Sequence, residues 1–161
     1  MPSLTITSTL VIVPTDVPLE VTPAATASNF TPQPLEPTLS PFPFTLKDGQ
    51  AIVTSNFANS AGCAWEGIGG QVTDINDQPI GQIRVHVFGS GIDTYTASGT
   101  NTLYGPSGWE VPLSNAVSTN TYYVELQSAQ GTPISETVQV TFPGVCRQNL
   151  ALVNFRQTRP F

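Results

Sequence analysis

Charge is scarce in this chain: only 10% of its 161 residues are ionisable Asp, Glu, Lys or Arg, and there is one histidine. His86 would have to serve alone in any Ser-His-Asp triad or histidine metal site. No nucleophile motif stands beside it, since Gly89-Ser90-Gly91 lacks the Gly-x-Ser-x-Gly spacing of a nucleophile elbow. It reads as a structural or surface histidine. Basic residues number 5 against 11 acidic ones, for a net charge of -6. Such a surface does not attract a phosphate backbone or an anionic lipid, so nucleic acid is excluded as a partner. Long apolar runs are missing too. Leu4 to Val13 is interrupted by Thr5, Thr7, Ser8 and Thr9, and no Lys or Arg precedes it. It is too short to span a bilayer and lacks the form of a signal peptide, so membrane insertion is not expected. Secretion would therefore require a leader removed ahead of this numbering. Helix signals are equally thin: no stretch combines a 3.6-residue apolar period with caps. The 13 Gly, 15 Pro and many Thr and Ser suit strands and turns instead.

Only two cysteines exist, Cys63 and Cys146. Neither a C-x-x-C nor a Cys/His spacing is available for a metal, and a redox pair would sit closer in sequence. The reading is one structural disulfide closing a loop of roughly eighty residues, worth about 4 kcal/mol in the chain-entropy model. Two buried free thiols are the alternative. A disulfide would imply an oxidising, extracytoplasmic location.

The chain is organised around the run from Cys63 to Phe88: a Gly-rich stretch, a strand closed by Val72, the turn Asp74-Ile-Asn-Asp-Gln-Pro79, and a second strand. Asx residues and proline favour such turns by capping backbone groups or presetting φ. Ile83, Val85 and Val87 fall on one face, with Arg84, His86 and Phe88 on the other, as in a half-buried strand. Gly70-Gln-Val-Thr-Asp74, then Pro79-Ile80, then Val85-x-Val87 resembles the opening hairpin of carboxypeptidase-regulatory-like (transthyretin-like) domains. The resemblance covers about the first third of the globular part. It implies an Ig-like/transthyretin-like β-sandwich of the kind carried by secreted bacterial proteins, and no particular activity.

Residues 1–46 form a distinct compositional unit that holds nine of the prolines. Prolines recurring from Pro14 to Pro43 predict an extended, polyproline-like backbone. Such a segment suits a stalk, and Asn29-Phe-Thr31 is a sequon for N-glycosylation. At its start, residues 4–13 read as a strand: Leu4, Ile6, Leu10 and Ile12 share one face, interrupted by Ser8. Phe42 and Phe44 are expected to plug onto the sandwich, and Thr45 to Gly49 to form a turn. Residues 47–161 are expected to be the sandwich itself, with strands near 51–57, 83–88, 92–97, 109–113, 121–127, 136–142 and 150–155. Pro112 marks its strand as an edge or a strand end. The predicted fold is an all-β, antiparallel β-sandwich with a long extended N-terminal arm.

The remaining candidate sites each have a plainer reading. Glu66, Asp74, Asp77, Asp93, Glu110, Glu125 and Glu136 include no pair whose spacing predicts glycosidase geometry. Asp74 to Asp77 has the close oxygens of a calcium loop but lacks the length and closing Glu of an EF-hand, so a turn is favoured. Trp65, Trp109, Tyr95, Tyr104, Tyr122 and Tyr123 offer a sugar-stacking platform or, more simply, core aromatics. Lys47, the lone lysine, is a conceivable crosslinking residue with no partner singled out. The chain thus reads as a non-enzyme without a cofactor. The leading expectation is an extracellular filament subunit, its partner a copy of itself, joined head to tail by addition of Leu4, Ile6, Leu10 and Ile12 to a neighbour's sheet edge. This is similar in principle to donor-strand pilins. The runner-up is a stalked cell-surface module that binds a glycan or protein through the loops around Tyr104 to Trp109. An accessory domain of a larger enzyme is the third reading, against which Met1 and Arg159 to Phe161 suggest a free-standing chain.

Overall fold

Short runs of β-branched and aromatic residues, punctuated by Gly, Asn, Asp and Pro, make ten strands within residues 40–161, the part that the computed structural model describes. They are β1 Phe44–Leu46, β2 Ile52–Thr54, β3 Glu66–Thr73, β4 Arg84–Gly89, β5 Ile92–Ala97, β6 Gly108–Ser114, β7 Thr121–Gln127, β8 Val138–Thr141, β9 Leu150–Leu152 and β10 Phe155–Gln157. The only helical pieces among the described residues are single 3₁₀ turns at Thr102–Tyr104 and Cys146–Gln148. The expected strand with Leu4, Ile6, Leu10 and Ile12 lies outside the described residues, as does the Asn29 sequon. No helix among the described residues is long and apolar enough to cross a membrane.

Two sheets pack face to face. In the first, β3 is central, with β6 antiparallel on one side and β9 and β10 parallel on the other. Beyond these, β2 pairs with β9 and β1 with β10. The second sheet runs β5-β4-β7-β8, all antiparallel. Inward side chains of both sheets meet in one core, where Phe44, Ile68, Trp109, Tyr122, Leu126, Phe142 and Phe155 are the large buried members. Alternation does what period 2 requires: Val85 and Val87 are buried while Arg84, His86 and Phe88 are not fully so.

The architecture departs from the sequence reading at three places. The 74–79 turn forms, but β3 and β4 do not pair. Asp74 Oδ1 accepts from the N–H groups of Asn76 (2.7 Å) and Gln78 (2.8 Å), and Ile80 N–H reaches the Val72 carbonyl. The chain then crosses to the second sheet, because both edges of β3 are already taken by β6 and by β9 and β10. The sandwich also takes in Phe44–Leu46, assigned above to the arm and to a turn. The real turn occupies Lys47 to Gly49, with Gly49 at φ 70°. Finally, the last strand is split at Val153-Asn154, although its register on β3 is the same before and after the break.

That split has a cause in β3. Gly70 lies so close to the Val153 carbonyl that no side chain fits between them. Val153 N–H donates to the Gly69 carbonyl (2.9 Å), and the Asn154 side-chain oxygen accepts from Gln71 N–H (3.0 Å) in place of a ladder carbonyl. Across the domain, Cys63 and Cys146 are disulfide-bonded as expected, which ties the loop before β3 to the 3₁₀ turn before β9. Beside it, Asn149 Nδ2 donates to the carbonyls of Gly62 and Trp65.

Candidate functional site

An open sandwich has two lateral sides, and here they differ. On one, β5 packs against β6, the strand carrying Pro112. On the other, β8 faces the β1–β2 region across a groove of about 430 Å³. Leu46, Ala51, Val138 and Phe155 give the groove an apolar floor, and Thr45, Gln50, Glu136 and Gln139 give it polar walls. It is closed at one end where Phe44 N–H donates to the Ile134 carbonyl (3.1 Å) and Phe44 bridges to Ser135.

The β8 edge is open in its backbone as well. β8 pairs only with β7 among the described residues. Phe142 N–H donates to the Asn120 carbonyl (3.0 Å), and the pairs Tyr122↔Val140 and Val124↔Val138 continue that ladder. Antiparallel geometry directs alternate residues to opposite sides, so Gln139 and Thr141 turn their N–H and C=O groups away from β7. Ser40, the first described residue, donates from its hydroxyl to Glu136 at 3.0 Å. Ser40 is therefore held beside the groove, next to the end that Phe44 and Ser135 close.

A second feature covers the outer face of the same four-stranded sheet to which β8 belongs. The His86 ring stacks on Tyr95 (4.4 Å between centroids) and on Phe88 (4.6 Å), and Phe88 stacks on Tyr123 (5.4 Å). The Arg84 guanidinium sits 3.8 Å over the Tyr95 ring, a cation–π contact. His86 Nε2 lies 2.9 Å from Asp93 and its Nδ1 3.3 Å from Glu125. Gln127 Nε2 donates to Glu125 Oε1, and Thr137 to Glu125 Oε2. Burial pushes the Glu125 carboxyl up, but hydrogen bonds from Gln127, His86 and Thr137 outweigh it and hold the group below the usual glutamate value. The structural histidine expected from sequence is thus the hub of a network joining β4, β5, β7 and the start of β8.

The other candidates disperse. Glu66 is fully buried, accepting from the Ser118 N–H (2.7 Å) and hydroxyl (2.6 Å). Asp74 caps its turn, and Asp77 binds Lys47 (3.0 Å) and Arg156 (3.4 Å). Lys47 sets the Asp77 carboxyl below the usual aspartate value more than Arg156 does. Lys47 is thus engaged in a half-exposed ion pair. Glu110 accepts from the Tyr104 hydroxyl (2.8 Å) and Asn101. Burial first, and then that carboxylate, push the Tyr104 phenol above its usual range.

For most of the six aromatics the plainer reading holds. Trp65, Tyr104, Trp109 and Tyr122 are buried. Tyr104 packs on β3 where Gly69 leaves room: a Cβ there would lie 2.6 Å from its ring. Tyr95 alone of the six is strongly exposed, at 46%. The loop from Tyr104 to Trp109 therefore offers no free ring face. Sequence reasoning did name Tyr95, but His86, Phe88, Asp93 and Glu125 join it only through strand register. No protein-family model matches the chain, and no curated protein does.

Proposed function

We propose that this protein is an extracellular structural subunit that assembles with copies of itself, the N-terminal strand of one chain adding to the sandwich edge of the next. The observation that supports this reading is the lateral groove, with its apolar floor and unpaired strand edge. A sheet edge left open is a template for another strand: main-chain bonds supply affinity, and alternate side chains filling pockets supply specificity. The row Leu4, Ile6, Leu10 and Ile12 has the complementary pattern. Head-to-tail contacts of this kind do not close on themselves, so they propagate as filaments. The disulfide accords with an oxidising, extracellular setting. The chain's likeness to carboxypeptidase-regulatory-like domains belongs to the same proposal, as a fold repurposed for assembly.

Replacing Leu4, Ile6, Leu10 and Ile12 together by serine tests the reading without touching the domain. Sedimentation velocity should show large assemblies for the parent chain and monomers for the variant. Parent and variant sedimenting alike would refute it.

One observation favours the second reading, a stalked module binding a glycan or protein: the ring strip on the outer sheet face. Its site would then centre on Tyr95, Arg84 and Asp93. Glycan-array binding that disappears with Tyr95→Ala would favour it over assembly.

A further inference from the structure

We propose that the edge that accepts the incoming strand is β8, and that its occupant is residues 4–13 of a second copy. This rests on the strand-addition reading above. The incoming backbone would lie against Gln139 and Thr141, with its apolar side chains over Leu46, Ala51, Val138 and Phe155.

Comparison of the sheet edges singles out β8. The edge of β6 carries Pro112, which has no N–H to offer, and β5 packs beside it on that same side. β1 has committed its Phe44 N–H to the Ile134 carbonyl. β2 is only three residues long, and Ala51 just before it already belongs to the groove. Among the described strands, only β8 combines an outward-facing backbone with an adjacent apolar floor. Alternate residues on a strand stand about 6.6–6.8 Å apart on one face. Leu4 with Ile6, and Leu10 with Ile12, therefore enter as two pairs separated by Ser8.

The length of the connecting segment favours a neighbouring copy over the same chain. Residues 14–39 lie between the strand and Ser40, and proline recurs in them at 14, 18, 23, 32, 34 and 37. At about 3.1 Å per residue for a polyproline-like chain, they reach roughly 80 Å. A domain of this size is about 35 Å across. A connector whose composition predicts an extended chain more than twice that length suits the groove of a neighbouring copy better than its own, because effective concentration falls when connector and span mismatch.

The test uses the full chain with Gln139→Pro and Gln139→Ala. Proline removes the N–H that points away from β7, so the β7–β8 ladder stays intact, whereas alanine keeps that N–H. Gln139→Pro should melt within a few degrees of the parent yet need at least about tenfold more protein to assemble. Gln139→Ala should assemble as the parent does. If Gln139→Pro assembles at parental concentration while a chain lacking residues 1–13 does not, another edge accepts the strand and this inference fails alone. If the chain lacking residues 1–13 also assembles, strand addition itself is wrong. Should Gln139→Pro fail to fold, hydrogen exchange on parental assemblies decides. Slowed exchange at Gln139 and Thr141 is the expected result, and exchange as fast as in dissociated chains overturns the inference.

Discussion

Gly70→Ala should be among the most damaging single-methyl changes in the domain. An added Cβ would meet the Val153 carbonyl oxygen well inside contact distance, its carbon at 2.7 Å and Asn154 Oδ1 at 3.2 Å. The carbonyl is backbone and cannot rotate away, so β3 and the last strand must separate. Overpacking strain of this kind costs about 1–3 kcal/mol. Separation also threatens the Val153-to-Gly69 bond and the Gln71-to-Asn154 bond, each worth about 0.5–1.5 kcal/mol. The expected loss is about 4 kcal/mol, against a total stability of about 5–15 kcal/mol. Gly81→Ala is the control, because its Cβ would find only the Ser98 carbonyl oxygen at an ordinary 3.8 Å. Urea denaturation at equal slope should place Gly70→Ala far below the parent and Gly81→Ala within about 1 kcal/mol of it. Two variants of equal stability would refute the packing argument at the strand break.

Replacing both Cys63 and Cys146 by serine opens a crosslink spanning 83 residues and should lower stability by about 4 kcal/mol, read in the same urea assay. Glu66→Ala leaves the Ser118 N–H and hydroxyl without their carboxylate and should cost about 1.5–3 kcal/mol, measured by thermal or urea unfolding. Glu125 has its carboxyl held below the usual value, so it contributes stability above the unfolded-chain value near 4.3. That contribution should fade as pH falls from there through the folded value. In denaturation between pH 3 and 7, Glu125→Gln should flatten part of the acid limb of the parent's stability profile; an unchanged limb would contradict the network at His86. Tyr104 works in the opposite direction. Its raised phenol should keep its stabilising effect below the unfolded value near 10 and lose it as pH rises further, visible as alkaline destabilisation reduced in Tyr104→Phe.

Much of the sandwich was legible because its strands carry local signals. β4, β5 and β7 fall within a residue or so of the runs that alternation picks out, and Pro112 lies on an edge strand. The pairing of Cys63 with Cys146 followed from there being two cysteines and no motif to use them otherwise. What escaped depends on partners remote in sequence. β1 is too short to show a period, and the Asp48-Gly49 turn signal overshadowed Thr45 and Leu46. The crossing after β3 is decided by β9 and β10, some eighty residues later, which occupy the edge that β4 would need. The His86 network needs the registers His86↔Tyr95 and His86↔Glu125. No spacing in the chain reveals those. The seat of the buried Tyr104 has no local sign, because the space that receives it is made by Gly69, thirty-five residues earlier.

Assembly by residues 1–13 is the central claim, and electron microscopy of the full chain beside one lacking those residues tests it most directly. The account predicts filaments in the first preparation and dispersed single domains in the second. Dispersed domains in both, at high protein concentration, would contradict it.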